Sequence, residues 1–119
     1  MSEQVHNQAE IEAHLRDHLP HWRLQGGAIR RVYKTNGWKS TLMVVNAIGY
    51  LAEAAWHHPD LEVSYSSVAV SLSTHSAKGI TGKDFELASK IESVIQWQPG
   101  KEGGALEGAR DKAPVKYGV

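Results

Sequence analysis

Between Trp38 and Trp56 the apolar residues Trp38, Leu42, Val45, Ile48, Leu51/Ala52 and Ala55 recur at spacings of three and four, and Pro59 follows closely behind. That periodicity specifies a helix with one apolar stripe. A proline disfavours helical geometry in the residue before it, so the helix is expected to stop at about His57. A stripe this long must be covered, and the flanking segments supply the cover. Upstream, HWRLQGGAIRRVYKT places Trp22, Leu24, Ile29 and Val32/Tyr33 about Gly26-Gly27, the pattern of a hairpin whose second strand ends near Asn36-Gly37. Downstream, LEVSYSSVAVSLST reads as a second hairpin. Val68, Val70 and Leu72 point to one face of it, while Ala69, Ser71, Ser73 and His75 point to the other. The Ser-rich face is expected to be solvated or to meet a partner.

Two further helices complete the order. QAEIEAHLRDH, residues 8–18, sets Ile11 and Leu15 four apart before Pro20. Thr81-x-x-Asp84 is a capping-box variant that opens a last helix with Phe85, Ala88, Ile91 and Ile95 inward. The sum is α-β-β-α-β-β-α. The expected fold class is α+β, a two-layer sandwich with a four-stranded antiparallel sheet and three helices on one face. A chain of 119 residues suits one core, expected at residues 1–96. Residues 97–119 hold five of the eleven glycines and two of the four prolines, so they are read as an ordered wrap or a flexible extension. An edge strand such as VAVSLST would invite pairing with a second copy of the chain.

Composition removes several function classes. Thirteen basic and thirteen acidic side chains cancel, leaving no bulk electrostatic grip on nucleic acid or an anionic membrane. Without cysteine there is no disulfide, thiolate metal site or Cys nucleophile. The longest apolar run, TLMVVNAIGYLAEAAW, is interrupted by Asn46, Gly49 and Glu53, too polar for a bilayer. MSEQVHNQAE contains no signal-like apolar stretch, so a cytoplasmic location is expected. Serines are plentiful, but no G-x-S-x-G elbow accompanies them, and no G-x-x-x-x-G-K-[ST] or G-x-G-x-x-G is present for phosphate binding.

Polar residues collect where elements end: Glu53, His57, His58, His75 and Asp84. Glu53 and His57 are four apart, within pairing reach on one helix face. Each residue also has an ordinary explanation: histidines favour helix C-termini, Asp84 is a cap, and Glu53 is a solvated partner. Trp56 is expected in the core or at an interface. As metal ligands, neighbouring helical histidines diverge by about 100° and rarely share an ion. Metal-free acid/base work remains, suited to imidazoles that titrate near neutrality.

Glu53-x3-His57-His58-Pro59, Tyr65, the run Leu72-Ser73-Thr74-His75, and Asp84 ahead of LASKIE together resemble the pterin-4a-carbinolamine dehydratase family over residues 8–95. The resemblance implies dehydration of 4a-hydroxytetrahydropterin to quinonoid dihydropterin, in recycling of the tetrahydropterin cofactor of aromatic amino acid hydroxylases. It implies no metal or organic cofactor. It also implies a homodimer or homotetramer, and it assigns His57, His58 and His75 as active-site histidines with Glu53 and Asp84 as their accompanying acids. On this basis His57 and His75 are expected to be the acid/base pair, with His58 orienting the pterin. Glu53 is expected to hold His57, and Asp84 to hold His75 or the ring. Some relatives act instead as a dimerisation cofactor of a transcription factor or resemble RuBisCO assembly factors, so a protein partner is the alternative to a pterin substrate. Neither nucleic acid nor membrane is expected as a direct partner.

Overall fold

The computed structural model describes residues 4–110 and 113–117, so the outermost ends of both expected segments, and residues 111–112, lie outside the described residues. Seven main elements follow the expected order: α1 (Gln8–His18), β1 (Arg23–Gln25), β2 (Ala28–Lys34), α2 (Trp38–Ala55), β3 (Asp60–Ser64), β4 (Ser67–Leu72) and α3 (Gly82–Ile95). All strand pairings are antiparallel and the helices pack on one face, an α+β sandwich. The first hairpin turns on Gly26-Gly27, both at positive φ (61° and 78°), as a two-residue turn with the twist of the strands demands. The second turns on Tyr65-Ser66 between Ser64 and Ser67.

Sheet order is β1-β2-β4-β3. The strand expected to lie at an edge, β4, is therefore internal, because the second hairpin docks through its returning strand. The edges are β1 and β3. Along β4, Val68, Val70 and Leu72 are fully buried as expected, beneath Ile11, Leu15, Val44, Ile48, Phe85, Ala88, Ile91 and Ile95 from the helices, but Ala69, expected on the solvated side, is buried between its neighbouring strands as well.

The buried side of α2 is Thr41, Val44, Ile48 and Ala52, while Trp38 and Leu42 are exposed. The expected stripe began on the wrong side. From Leu42 to Leu51 this helix is apolar almost all round, so periodicity alone does not choose a face. Thr41 chooses it: its hydroxyl donates to the Tyr65 carbonyl at 2.8 Å and lies 2.6 Å from the Thr35 hydroxyl. Burying those three polar groups together satisfies each.

On β2, Arg31 and Tyr33 turn inward and meet Glu92 of α3. One Glu92 oxygen accepts from Tyr33 Oη at 2.6 Å, Trp22 Nε1 at 3.1 Å and Arg31 Nε at 3.1 Å. The Arg31 guanidinium also lies 4.4 Å from the centre of the Tyr33 ring. Burial pushes the Glu92 carboxyl up, but the hydrogen bonds from Arg31, Tyr33 and Trp22 outweigh it and hold the group below its ordinary value. Burial and the bond to Glu92 push the Tyr33 phenol far above its ordinary range.

Strand β1 covers β2 only from Ala28 to Arg30, leaving the far end of that edge open. The C-terminal segment returns to it. Val115 is buried and bridges Thr35, Lys116 N–H donates to the Lys34 carbonyl at 2.8 Å, and Asn36 holds the Ala113 carbonyl. No helix of the described residues is long and apolar enough to cross a membrane.

Candidate active site

Helix α2 ends at Ala55, and Trp56 takes a left-handed backbone conformation, φ 52° and ψ 47°. Its N–H bonds back to the helix and His57 N–H reaches the Ala52 carbonyl at 3.1 Å, closing the helix as a glycine usually does. A residue with a β-carbon adopts this conformation at a cost of about 1–2 kcal/mol. Strain of this kind at an exposed position concentrates at functional sites.

The reversal at Trp56 sends the two histidines apart. His57 turns inward, with 13% of its side chain exposed, and its Nε2 lies 2.7 Å from Asp84 Oδ1. His58 turns outward, and its Nε2 lies 2.8 Å from Glu53 Oε1. The expected pairings are thus exchanged: Glu53 holds His58 rather than His57, and Asp84 holds His57 rather than His75. The four-residue relation between Glu53 and His57 has force only while the helix continues, and α2 ends at Ala55, two residues before His57. The left-handed Trp56, ahead of the expected stop at Pro59, closes the helix and sets the partners.

Asp84 is fully buried in the first turn of α3. Its Oδ2 accepts from the Thr81 N–H at 2.9 Å, completing the capping box with Thr81, and from the Thr74 hydroxyl at 2.7 Å. Thr81 and Thr74 hydroxyls lie 2.8 Å apart, and Lys83 N–H donates to Thr81 Oγ1. Because Thr74 donates to the carboxylate, Thr81 donates to Thr74, and the row points one way into Asp84. The same Thr74 exchanges backbone bonds with Gly79, closing a small loop that carries His75 on a single 3-10 turn. His75 is exposed there, next in sequence to Thr74.

The five sequence-predicted residues therefore form two hydrogen-bonded pairs, Asp84–His57 and Glu53–His58, with His75 adjoining the first through Thr74. The Thr81 cap was legible from the capping-box spacing. Thr74 carried no signal beyond its place beside His75, and Trp56, expected in the core or at an interface, is outside the core and three-quarters exposed. Its indole meets the His58 ring edge-on with centres 5.0 Å apart. Among the described residues, no group of three or more His, Asp or Glu side chains is placed to hold a metal ion.

Behind the site the amino-terminal segment braces the start of α3. His6 N–H donates to the Ile80 carbonyl at 2.9 Å, and the His14 ring stacks on Phe85 with centres 4.0 Å apart. Burial first, then the neighbouring His18 and His6, push the His14 imidazole below its ordinary value, against a smaller opposing pull from Asp17. A cavity of about 1010 Å³ lies elsewhere, between α2, α3 and the C-terminal segment, lined in part by Met43, Ala47, Trp97, Leu106 and Tyr117. None of the five site residues lines it.

A family model described as pterin 4 alpha carbinolamine dehydratase matches residues 4–94. A protein of Aquifex aeolicus with the provisional name pterin-4-alpha-carbinolamine dehydratase is 44% identical over 90 residues, covering 76% of this chain and 90% of its own. A Roseiflexus castenholzii protein with the same provisional name is 46% identical over 89 residues, covering 75% and 95%. Among solved structures, a transcriptional coactivator/pterin dehydratase from Brucella melitensis superposes with a TM-score of 0.70 at 28% identity, covering 76% of this chain and 98% of that one.

Proposed function

The chain belongs to the pterin 4 alpha carbinolamine dehydratase family, and we propose that it dehydrates a 4a-hydroxytetrahydropterin to the quinonoid dihydropterin by histidine acid/base catalysis. The observation that carries this reading is the 2.7 Å bond between His57 and an Asp84 that is fully buried.

The reaction removes one proton from the ring nitrogen beside the carbinol carbon and delivers one to the departing hydroxyl, which leaves as water. The nitrogen's electron pair forms the new C=N bond as the C–O bond breaks. A carboxylate only accepts hydrogen bonds, so Asp84 fixes the proton of His57 on Nε2 and leaves the Nδ1 lone pair to act as base. The directed row Thr81–Thr74–Asp84 holds that acceptor in place. His75, on the loop that Thr74 closes, is assigned as the acid. His58, oriented by Glu53, positions the ring. Groups of this kind contribute about 10²–10⁴-fold each. On this reading residues 8–95 carry the activity and the segment after 96 is accessory.

A non-catalytic role in assembling another protein is the second reading. One observation favours it, the exposure of Trp38, Leu42 and Met43 along one side of α2. The deciding experiment is spectrophotometric: enzymatically generated 4a-hydroxytetrahydropterin is offered to the purified protein, and quinonoid dihydropterin formation is followed. Accelerated formation that His57→Ala abolishes supports the dehydratase. No acceleration over the spontaneous reaction overturns it.

A further inference from the structure

We propose that Trp56 is a substrate-binding and specificity-determining residue, its indole forming an aromatic wall against which the flat pyrimidine side of a bicyclic heterocycle lies while His57, His58 and His75 act on it. The inference rests on the pterin reading and deepens it.

Three observations converge on this side chain. The backbone at position 56 is left-handed, a conformation that glycine or asparagine fills with little strain, so the helix end itself gives no reason for tryptophan. Core packing gives none either, because the indole is 75% exposed, more so than Leu42 or Met43 on the same helix. Yet the side chain is not adrift. It sits edge-on to His58, whose far nitrogen is fixed by Glu53, so an anchored imidazole sets the position of an exposed ring.

The chemistry of the ligand follows from that arrangement. A large, flat, polarisable face that lies beside the His58 imidazole and precedes His57 by one residue in the chain suits a flat conjugated ring with polar edges: the face stacks and the edges reach the histidines. A bicyclic heterocycle has that shape; an aliphatic hydroxy compound does not. A wall of this kind favours bound substrate and bound transition state alike where it meets the amide and guanidine atoms of the pyrimidine ring, which stay flat while the junction carbon that carries the hydroxyl passes from tetrahedral to trigonal. It therefore acts on KM more than on kcat.

The test uses the full chain with Trp56→Gly and Trp56→Phe. A stable oxidised pterin serves as probe in equilibrium binding, and 4a-hydroxytetrahydropterin as substrate. Trp56→Gly is expected to raise the Kd and KM about threefold to tenfold, the size of one stacked pair, with kcat changed far less. Trp56→Phe, which keeps a flat ring, is expected to recover most of the affinity. The glycine variant also relieves the left-handed strain, so its Tm is expected to hold or to rise by about 2–6 °C, which separates lost binding from lost folding. Wild-type binding with an unchanged Kd and KM in Trp56→Gly overturns the inference and leaves the dehydratase reading standing. A variant altered only in oligomeric mass reassigns the indole to a subunit contact and equally overturns it. A wild-type protein that neither binds nor turns over the pterin overturns the dehydratase reading first and the wall with it.

Discussion

Helix α3 buries two carboxylates on one side, two turns apart, and surrounds them differently. Asp84 faces the Thr74 hydroxyl, the Thr81 backbone N–H and His57. Glu92 faces a guanidinium, a phenol and an indole N–H. The Glu92 carboxyl is held below its ordinary value, so at neutral pH the Glu92 cluster is an ion pair with Arg31 and serves as a rivet between helix and sheet. His57 is the one imidazole in either cluster, and Asp84 engages only one of its two ring nitrogens. A helix can thus carry the same chemical group twice, once fixed and once poised, with the neighbours deciding which.

Exchanging consequences between the two clusters tests that contrast, and His57→Ala is expected to give the largest effect. It should lower kcat/KM for a carbinolamine pterin by about 10²–10⁴-fold while the urea midpoint moves little. If stability collapsed instead, the Asp84 site would be a rivet as well. Glu92→Ala should do the reverse. It leaves Arg31 buried without its carboxylate, at a cost of about 3 kcal/mol, the low end for a broken buried pair because Glu92 keeps 21% of its side chain exposed. Activity per folded molecule at low temperature should persist.

The pH dependence of Glu92 has a defined sign. Its folded pKa is lowered, so its contribution is present above the ordinary value of 4.5 and is lost as the pH falls below it. Glu92→Gln should flatten the acid limb of a urea-midpoint profile. Smaller still is Glu53→Gln, which loosens an exposed pair worth about 0.2–1 kcal/mol and should change stability hardly at all, with its effect confined to turnover. The smallest effect belongs to His14. Its folded pKa is also lowered, so the neutral ring's contribution is present above 6.5 and lost as the pH falls below that value. His14→Gln should remove a slight slope in stability below pH 6.5 measured by thermal unfolding.

The fold was legible where spacing and turn chemistry agree. Gly26-Gly27 marked one hairpin, Thr81-x-x-Asp84 marked the start of α3, and Ile11 with Leu15 marked the buried side of α1. It was illegible where a long-range hydrogen bond decides, as Thr41 does for the face of α2. The candidate site residues were named from their resemblance to a family, but their pairing was not legible. That pairing depends on one backbone angle at Trp56, a residue type that gives no hint of left-handed geometry. Arg31 carried no signal in the sequence, because the carboxylate that draws it inward stands 61 residues away.

The bridge between Thr35 and Val115 joins positions 80 apart (115 − 35), whereas both hairpins close over two residues. Chain entropy penalises the long closure more, so the hairpins pair early and the bridge forms onto a sheet already assembled. In exchange experiments the amide of Lys116 then belongs to a separate opening unit. It should take up deuterium sooner than Val68 or Val70, while the strands beneath remain paired.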